Sequence, residues 1–453
     1  MSSRVTPITK LTAVSSNPSG SGRVYPLTAA DHAMGTHSGA VVFYYGENPF
    51  GSFILDPMRE SLSEVLTLYP TVTGRMSRSP EGNWAVREND AGVRVTMTKV
   101  GATLDEWLRS ADAAEEADLA ALEDMPEDPY IWSHFRIQIN AFEGGGVAIG
   151  VSFTHLNADP TSATLLLKAW ADTHRGEGVL PPLLTRPTFP SSGDDKEVPT
   201  KSTSCYYDNK SKATPCHVKM ASVTFKFSNS TISQCLSEIE GHCPDATPFD
   251  LLAALFWKRV LHIKGLKNDQ NCSLSICTDF RKLFESPLSQ RYYFGNALHF
   301  SQLSIKPEEM ERYELGHVAG LLHCHVQRLA EEEGQIWSTM DWLESRKEKG
   351  GKYAPPFQMY GPELTCVSME HMVNGNEPWM YATKFVRDAK PVHVSCNVGN
   401  AEGEGLMMVM PSNEGGQARN VMVMLPEREM AELCEDEAIL SLNPTMLLGG
   451  SQA

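Results

Sequence analysis

Hydrophobic positions change their period several times along the chain, and each change predicts an element. Ala40-Val41-Val42-Phe43-Tyr44-Tyr45 is β-branched and aromatic throughout and is closed by Gly46-Glu47-Asn48-Pro49, so it reads as a strand. In the next segment Met58, Leu62, Val65 and Leu66 recur at helical spacing. Asp56 reads as the N-cap of that helix and Pro57 as its first residue, while Pro70 ends it near Tyr69. Phe135, Ile137, Ile139 and Ala141 alternate with polar residues, the period of a half-buried strand, and Val147–Phe153 is a second extended run. Between them Glu143-Gly144-Gly145-Gly146 reads as a hairpin turn; no Lys-Ser/Thr follows, as a phosphate loop requires.

From Gly176 to about Met220 the periodicity fades into Pro, Ser, Thr, Gly and charged residues, which predicts a long crossover or interdomain linker. Regular signals resume with a strand at Ser222–Phe227 and an amphipathic stretch at Thr231–Ile239. Thr247-Pro248-Phe249-Asp250 carries the signals of a helix start, and Leu251–Val260 is apolar enough for a core helix. Further strands are predicted at Leu274–Thr278, Leu364–Ser368, Val392–Cys396, Leu406–Met410 and Val421–Leu425, and helices at Glu309–Glu331 and Gln335–Arg346. The pattern is mixed α/β, with no internal repeat.

Length and composition narrow the function classes. At 453 residues the chain has room for two or three domains. With 41% hydrophobic and 21% charged residues it resembles an ordinary core-forming protein. A net charge of −17 argues against nucleic acid or an anionic lipid surface as the main partner. No apolar run approaches the ~18 residues of a membrane span. The N-terminal stretch lacks the apolar segment of a secretory signal, so an intracellular protein is expected. Ten cysteines with no CxxC pair predict reduced thiols. His323-Cys324-His325 is not read as a metal site, because helix positions two apart do not face each other. Sequons at Asn209, Asn229 and Asn271 carry little weight in such a chain. Tyr353-Ala354-Pro355-Pro356 and the segment Gln335–Trp342, with two Trp, read as core and loop rather than as partner surfaces.

The sharpest local signal is Val147–Phe153 running out into Thr154-His155-Leu156-Asn157-Ala158-Asp159-Pro160. A buried strand ends at His155 and a helix begins near Asp159. His155 is a candidate general base, since an imidazole titrates near neutral pH and accepts a proton from an attacking hydroxyl. A satisfied structural histidine fits the same position. Asp159 fits an ordinary N-cap before Pro160, and equally an acid that fixes the turn by pairing with a distant arginine.

In the company of further segments, this stretch resembles the BAHD acyltransferases, which move an acyl group from coenzyme A to an alcohol or amine. The resemblance covers nearly the whole chain. It includes Pro26-Leu27 with Asp31, the strand ending at Tyr45, and Leu62-Ser63, Leu66, Tyr69-Pro70 and Gly74-Arg75. It continues with His155 and Asp159, Thr247–Trp257, Thr278-Asp279-Phe280-Arg281 and Tyr293-Phe294-Gly295-Asn296. It implies an α/β fold of two chloramphenicol-acetyltransferase-like domains joined by a long crossover, with the active-site tunnel between them. The expected boundaries are 1–180 for the first domain, 181–220 for the crossover and 221–453 for the second. The resemblance makes His155 the catalytic base and Asp159 a structural acid, with Arg281 as its partner.

Two departures narrow the resemblance. Pro160 stands where the family has Gly, and Thr383–Pro391 stands where it has DFGWGKP; only Phe385 and Lys390-Pro391 match there. The Gly-Gly-Gly run before His155, Ala158–Thr161, Lys390–Ser395, Gly399-Asn400 with Glu402–Leu406, and Pro426-Glu427 with Met430 resemble the Eceriferum/Glossy wax proteins. That branch implies a BAHD-fold protein that assists very-long-chain fatty acid elongation for plant cuticular wax, acting through the ketoacyl-CoA synthase of the elongase. It further implies a monomer, cytosolic or peripheral on the cytosolic face of the endoplasmic reticulum. No metal or tightly bound cofactor is expected; acyl-CoA is a possible substrate. The other reading is an acyl-CoA-dependent O-acyltransferase using His155 as general base.

Overall fold

Two large sheets organise the chain. The computed structural model describes residues 3–18, 22–35, 37–50, 55–185, 206–208, 210–211, 218–265, 271–331, 333–373, 377–399, 401 and 403–450. Most of the expected crossover (186–205 and 212–217), the sequon at Asn209, and Asn400 and Glu402 lie outside the described residues.

The first sheet has the order β1 (Val5–Ala13), β6 (Val93–Thr103), β7 (Phe135–Glu143), β8 (Val147–Thr154), β3 (Ser38–Tyr45) and β13 (His393–Val398). All its pairings are antiparallel except that of β6 with β7. The second has the order β11 (Leu298–Ile305), β10 (Cys272–Asp279), β12 (Thr365–Ser368), β14 (Leu406–Pro411), β15 (Arg419–Pro426), β9 (Met220–Phe227) and β16 (Thr445–Leu447). Here β12 is parallel to both neighbours. A small sheet, β2 (Val24–Pro26), β5 (Trp84–Arg87) and β4 (Arg75–Arg78), sits beside the first.

The halves are interleaved. Strand β13 leaves the second half of the chain and pairs with β3 along its length, from His393 opposite Tyr44 to Val398 opposite Gly39. The first sheet is therefore not built from residues 1–180 alone. The largest apolar core likewise joins Phe43, Ile149, Val151 and Trp170 to Phe294, Phe300, Tyr360, Phe385 and Met408. A second core lies behind the other sheet, where Phe256 and Trp257 meet Phe225, Ile276 and Leu322.

Strand β8 is buried at every position, which explains its nearly continuous apolar run. A Cβ at Gly150 would lie 2.2 Å from the Leu119 carbonyl oxygen, so only glycine lets that loop settle on the strand. The hairpin after β7 turns on Gly144 and Gly145, at φ 81° and 103°. Helix Pro160–His174 follows β8 and packs on helix Leu55–Leu66 and on β3. Thr247 and Asp250 close a full capping box at the start of helix Pro248–Lys264.

Two expectations are corrected. Asp56 is not an N-cap, because the helix already includes Leu55 and Asp56 lies in its first turn. The predicted helix Glu309–Glu331 is two helices, Pro307–Arg312 and Leu315–Glu331. Lys258, on helix Pro248–Lys264, donates to the carbonyls of Met310 and Tyr313 at 2.8 and 2.6 Å and so captures the end of helix Pro307–Arg312. That partner is remote in sequence, and periodicity carries no trace of it.

Candidate active site

His155 follows the last residue of β8, its N–H donating to the His37 carbonyl at 3.0 Å. Five residues later helix Pro160–His174 begins, with Asp159 as its cap: Asp159 Oδ1 accepts from the Ser162 N–H at 2.8 Å. The same carboxylate is held by Arg281, with Nη1–Oδ2 at 2.9 Å and Nη2–Oδ1 at 3.0 Å, and Oδ2 also accepts from the Ala297 N–H at 3.0 Å. Both readings of Asp159 are therefore present in one residue. Arg281 further donates to the carbonyls of Gly295 and Tyr293 and to Asp279. Burial alone would raise the Asp159 carboxyl, but the Arg281 charge and the converging N–H groups hold it below the usual carboxylate range. Arg281 is pushed the other way, since Asp159 and Asp279 outweigh its own burial.

The orientation of the His155 ring follows from Asn296. The Asn296 amide Nδ2 donates to Asp31 Oδ1 at 2.8 Å and to the His155 carbonyl at 2.6 Å, which turns Oδ1 toward His155 Nδ1 at 3.3 Å. An amide oxygen only accepts, so Nδ1 carries the proton and Nε2 the lone pair. That lone pair faces the Tyr360 hydroxyl at 3.3 Å. Burial lowers the His155 pKa to about 4, so the ring is neutral at neutral pH. His155 has 0% of its surface exposed and Tyr360 1%, so no solvent reaches the basic nitrogen.

His37 completes the surround. Its Nδ1 lies 3.3 Å from the Gly399 carbonyl and its Nε2 accepts from the Met359 N–H at 3.1 Å. Burial, and then His155 itself, push its pKa down to about 3. The ring stands edge-on to Tyr360, with centroids 5.1 Å apart.

Clefts approach from two sides without including His155. One of about 330 Å³ is lined by Tyr25, Asp31, Asn157 and Gly295. The other, of about 290 Å³, is lined by Asp279, Lys282, Ser368 and His371. His371 Nε2 lies 2.8 Å from Thr161 Oγ1 and so joins the Asp159–Arg281–Asp279 cluster. A larger cleft of about 800 Å³ over β1 and β6, lined by Lys10, Arg94 and Arg136, touches none of these residues.

The Thr383–Pro391 stretch lies apart from His155. Phe385 is buried in a nest of Phe50, Trp170, His174 and Tyr45, with centroid distances of 4.6, 4.9, 5.8 and 6.3 Å. The Tyr45 hydroxyl donates to the Thr383 carbonyl at 2.8 Å. Val386, Arg387 and Asp388 form an exposed turn.

Sequence reading singled out His155, Asp159 and Arg281, and the last two meet. It missed His37 and Tyr360. Their role comes from sheet pairing and from a loop of the second half, and neither leaves a local signal. Asp31 and Asn296 stood only inside wider matched segments. His323 turns to Asp250 at 2.9 Å and His325 to Ser301 at 2.9 Å, so the two do not share a site. No group of three or more metal-ligating side chains occurs among the described residues. Nor is any described helix long and apolar enough to cross a membrane.

A family model described as the Transferase family matches residues 3–440. Protein ECERIFERUM 2 of Arabidopsis thaliana is 24% identical over 456 aligned positions, covering 96% of this chain and 98% of that protein. Hydroxycinnamoyltransferase 1 of Oryza sativa subsp. japonica is 28% identical, covering 87% and 90%. Among solved structures, vinorine synthase superposes with a TM-score of 0.69 at 20% identity, covering 97% of this chain and 98% of its own. F. sporotrichioides TRI101, solved with coenzyme A and T-2, gives 0.65 at 15%, covering 94% and 100%.

Proposed function

Because this chain belongs to the Transferase family, the BAHD acyltransferases, we propose that it assists very-long-chain fatty acid elongation for cuticular wax by acting on a ketoacyl-CoA synthase. The observation that carries this reading is the state of His155. A general base must meet the acceptor hydroxyl within hydrogen-bond reach, and here that position is taken by Tyr360. The likeness to Eceriferum proteins over nearly the full chain supports the same reading, as does the loss of the DFGWG glycines and Trp. The protein acts as a monomer at the cytosolic face of the endoplasmic reticulum and is held there by its partner.

The orientation of His155 favours a second reading, an acyl-CoA-dependent O-acyltransferase. In it, His155 Nε2 takes the acceptor O–H proton and the alkoxide attacks the thioester carbonyl. The tetrahedral oxyanion collapses, and the CoA thiolate leaves with the proton from Nε2. Asp159 and Arg281 are structural in both readings. Acyl-CoA is the substrate in this second one; TRI101, solved with coenzyme A, shares the fold.

Co-expression with a ketoacyl-CoA synthase, with and without His155→Ala, separates the two. Removal of a general base costs ~10²–10⁴ in rate. Retained chain extension in the His155→Ala variant supports the accessory role. Its collapse, with purified wild-type protein esterifying an alcohol from acyl-CoA unaided, overturns it.

A further inference from the structure

The segment Tyr353–Glu363 crosses from the second half of the chain onto the first sheet, pinned at each step. The Tyr353 N–H donates to Asn83 Oδ1 at 2.8 Å, and the Phe357 N–H to the Ala33 carbonyl at 2.8 Å. The Met359 N–H donates to His37 Nε2 at 3.1 Å. Lys210, itself buried, donates to the carbonyls of Met359 and Gly361 at 2.9 and 3.1 Å and pairs with Glu363 at 2.6 Å. Tyr360 sits between these anchors, its ring against Phe300, His37 and His155 at centroid distances of 5.4, 5.1 and 5.6 Å. None of the anchors depends on the Tyr360 hydroxyl. The backbone around Tyr360 is thus fixed independently of the contact it makes with His155.

We propose that Tyr360 is a plug: carried on this pinned strap, its phenol occupies the acceptor-alcohol position beside His155 Nε2 and keeps hydroxyl substrates from the base. The plug deepens the accessory reading, since it concerns the same site and rests on that reading of His155. A neutral phenol donating to a neutral imidazole leaves neither buried group unpaired. An alcohol reaches Nε2 only when the ring swings out, and the pinned backbone leaves side-chain rotation as the way for it to do so. The proton acceptor therefore survives intact, correctly oriented by Asn296, and is denied a partner.

Diethyl pyrocarbonate, a small reagent that carbethoxylates neutral imidazole, tests the plug on the full chain, read residue by residue by peptide mass spectrometry. In the wild type, His155 is expected to react at least ~10-fold more slowly than the exposed His262 and His317, as a group reached only through local opening does. In Tyr360→Ala it approaches the exposed rate, and Tyr360→Phe, which keeps the ring, stays protected. Tyr360→Leu serves as a second unplugged variant should the Ala variant not fold; slow labelling of the wild type is required by the plug, and the gain of reactivity in the unplugged variants supports it over burial alone. A wild-type His155 labelled as fast as His262, or a folded Ala or Leu variant as protected as wild type, overturns the plug. The elongation assay is scored separately, so a failed accessory role and a failed plug give different results.

Discussion

Asp159 and Arg281 lie 122 residues apart in sequence and meet through two nearly equal hydrogen bonds, with every remaining donor and acceptor around them satisfied by backbone or by Ser162 and Asp279. The pair ties the end of β8 to the end of β10 and so fixes the floor on which His155 stands. Breaking it leaves a charge buried and alone. Arg281→Met is expected to destabilise the protein by about 3–5 kcal/mol, read from urea denaturation. The double variant Asp159→Leu, Arg281→Met recovers only part of that, because Asp279 stays behind without its partner. A cost for Arg281→Met within the noise of a surface substitution would remove this structural role.

Phe385 packs among four aromatic rings, whereas Val386–Asp388 are exposed. Phe385→Ala is expected to cost about 3–5 kcal/mol, as large-to-small changes in aromatic cores do. Asp388→Ala is expected to stay within about 0.5 kcal/mol. Equal thermal-denaturation shifts in the two variants would contradict this division.

Five buried histidines are held neutral: His155, His134 and His299 with pKa values lowered to about 4, and His37 and His393 to about 3, in each case chiefly by burial. The folded chain thus binds fewer protons than the unfolded one, whose histidines titrate near the ordinary 6.5. Stability must fall as pH drops below that value and continue to fall toward the folded values. A urea midpoint clearly lower at about pH 5 than at about pH 7.5 is expected. An unchanged midpoint would show that these rings take up protons while folded.

Glu116 runs in the opposite sense. It is buried with no cation beside it among the described residues, accepts hydrogen bonds from Tyr44 and Ser395, and has its pKa raised by burial. The stability its protonated form contributes is complete below the unfolded value of 4.5 and is lost as pH rises through the folded value. Glu116→Gln is expected to gain stability relative to wild type as pH rises and to lose that gain toward about pH 4. A pH-independent difference between the two proteins would rule out titration of this group.

The elements most legible in the sequence are those whose signal is local. Strand β8 announces itself because both faces are buried, and helix Pro248–Lys264 because its cap, proline and acid stand at fixed offsets. Strand β1 carries no legible period, because it is a largely exposed edge strand whose apolar residues Val5, Ile8 and Leu11 stand three apart rather than two. The break at Tyr313 depends on Lys258, a partner far along the chain.

The order and spacing of matched segments determined, by sequence alone, the family, the α/β class and the identity of His155, Asp159 and Arg281 as the residues to examine. Those follow from what each residue type is and from what lies within a few positions of it. Only the tertiary structure decided that β13 returns to the first sheet and that Asn296 turns the His155 lone pair away from itself and toward the buried hydroxyl of Tyr360. Which proton a ring carries and which surface stays open depend on groups brought together through space, and chain order does not encode such meetings in any local pattern.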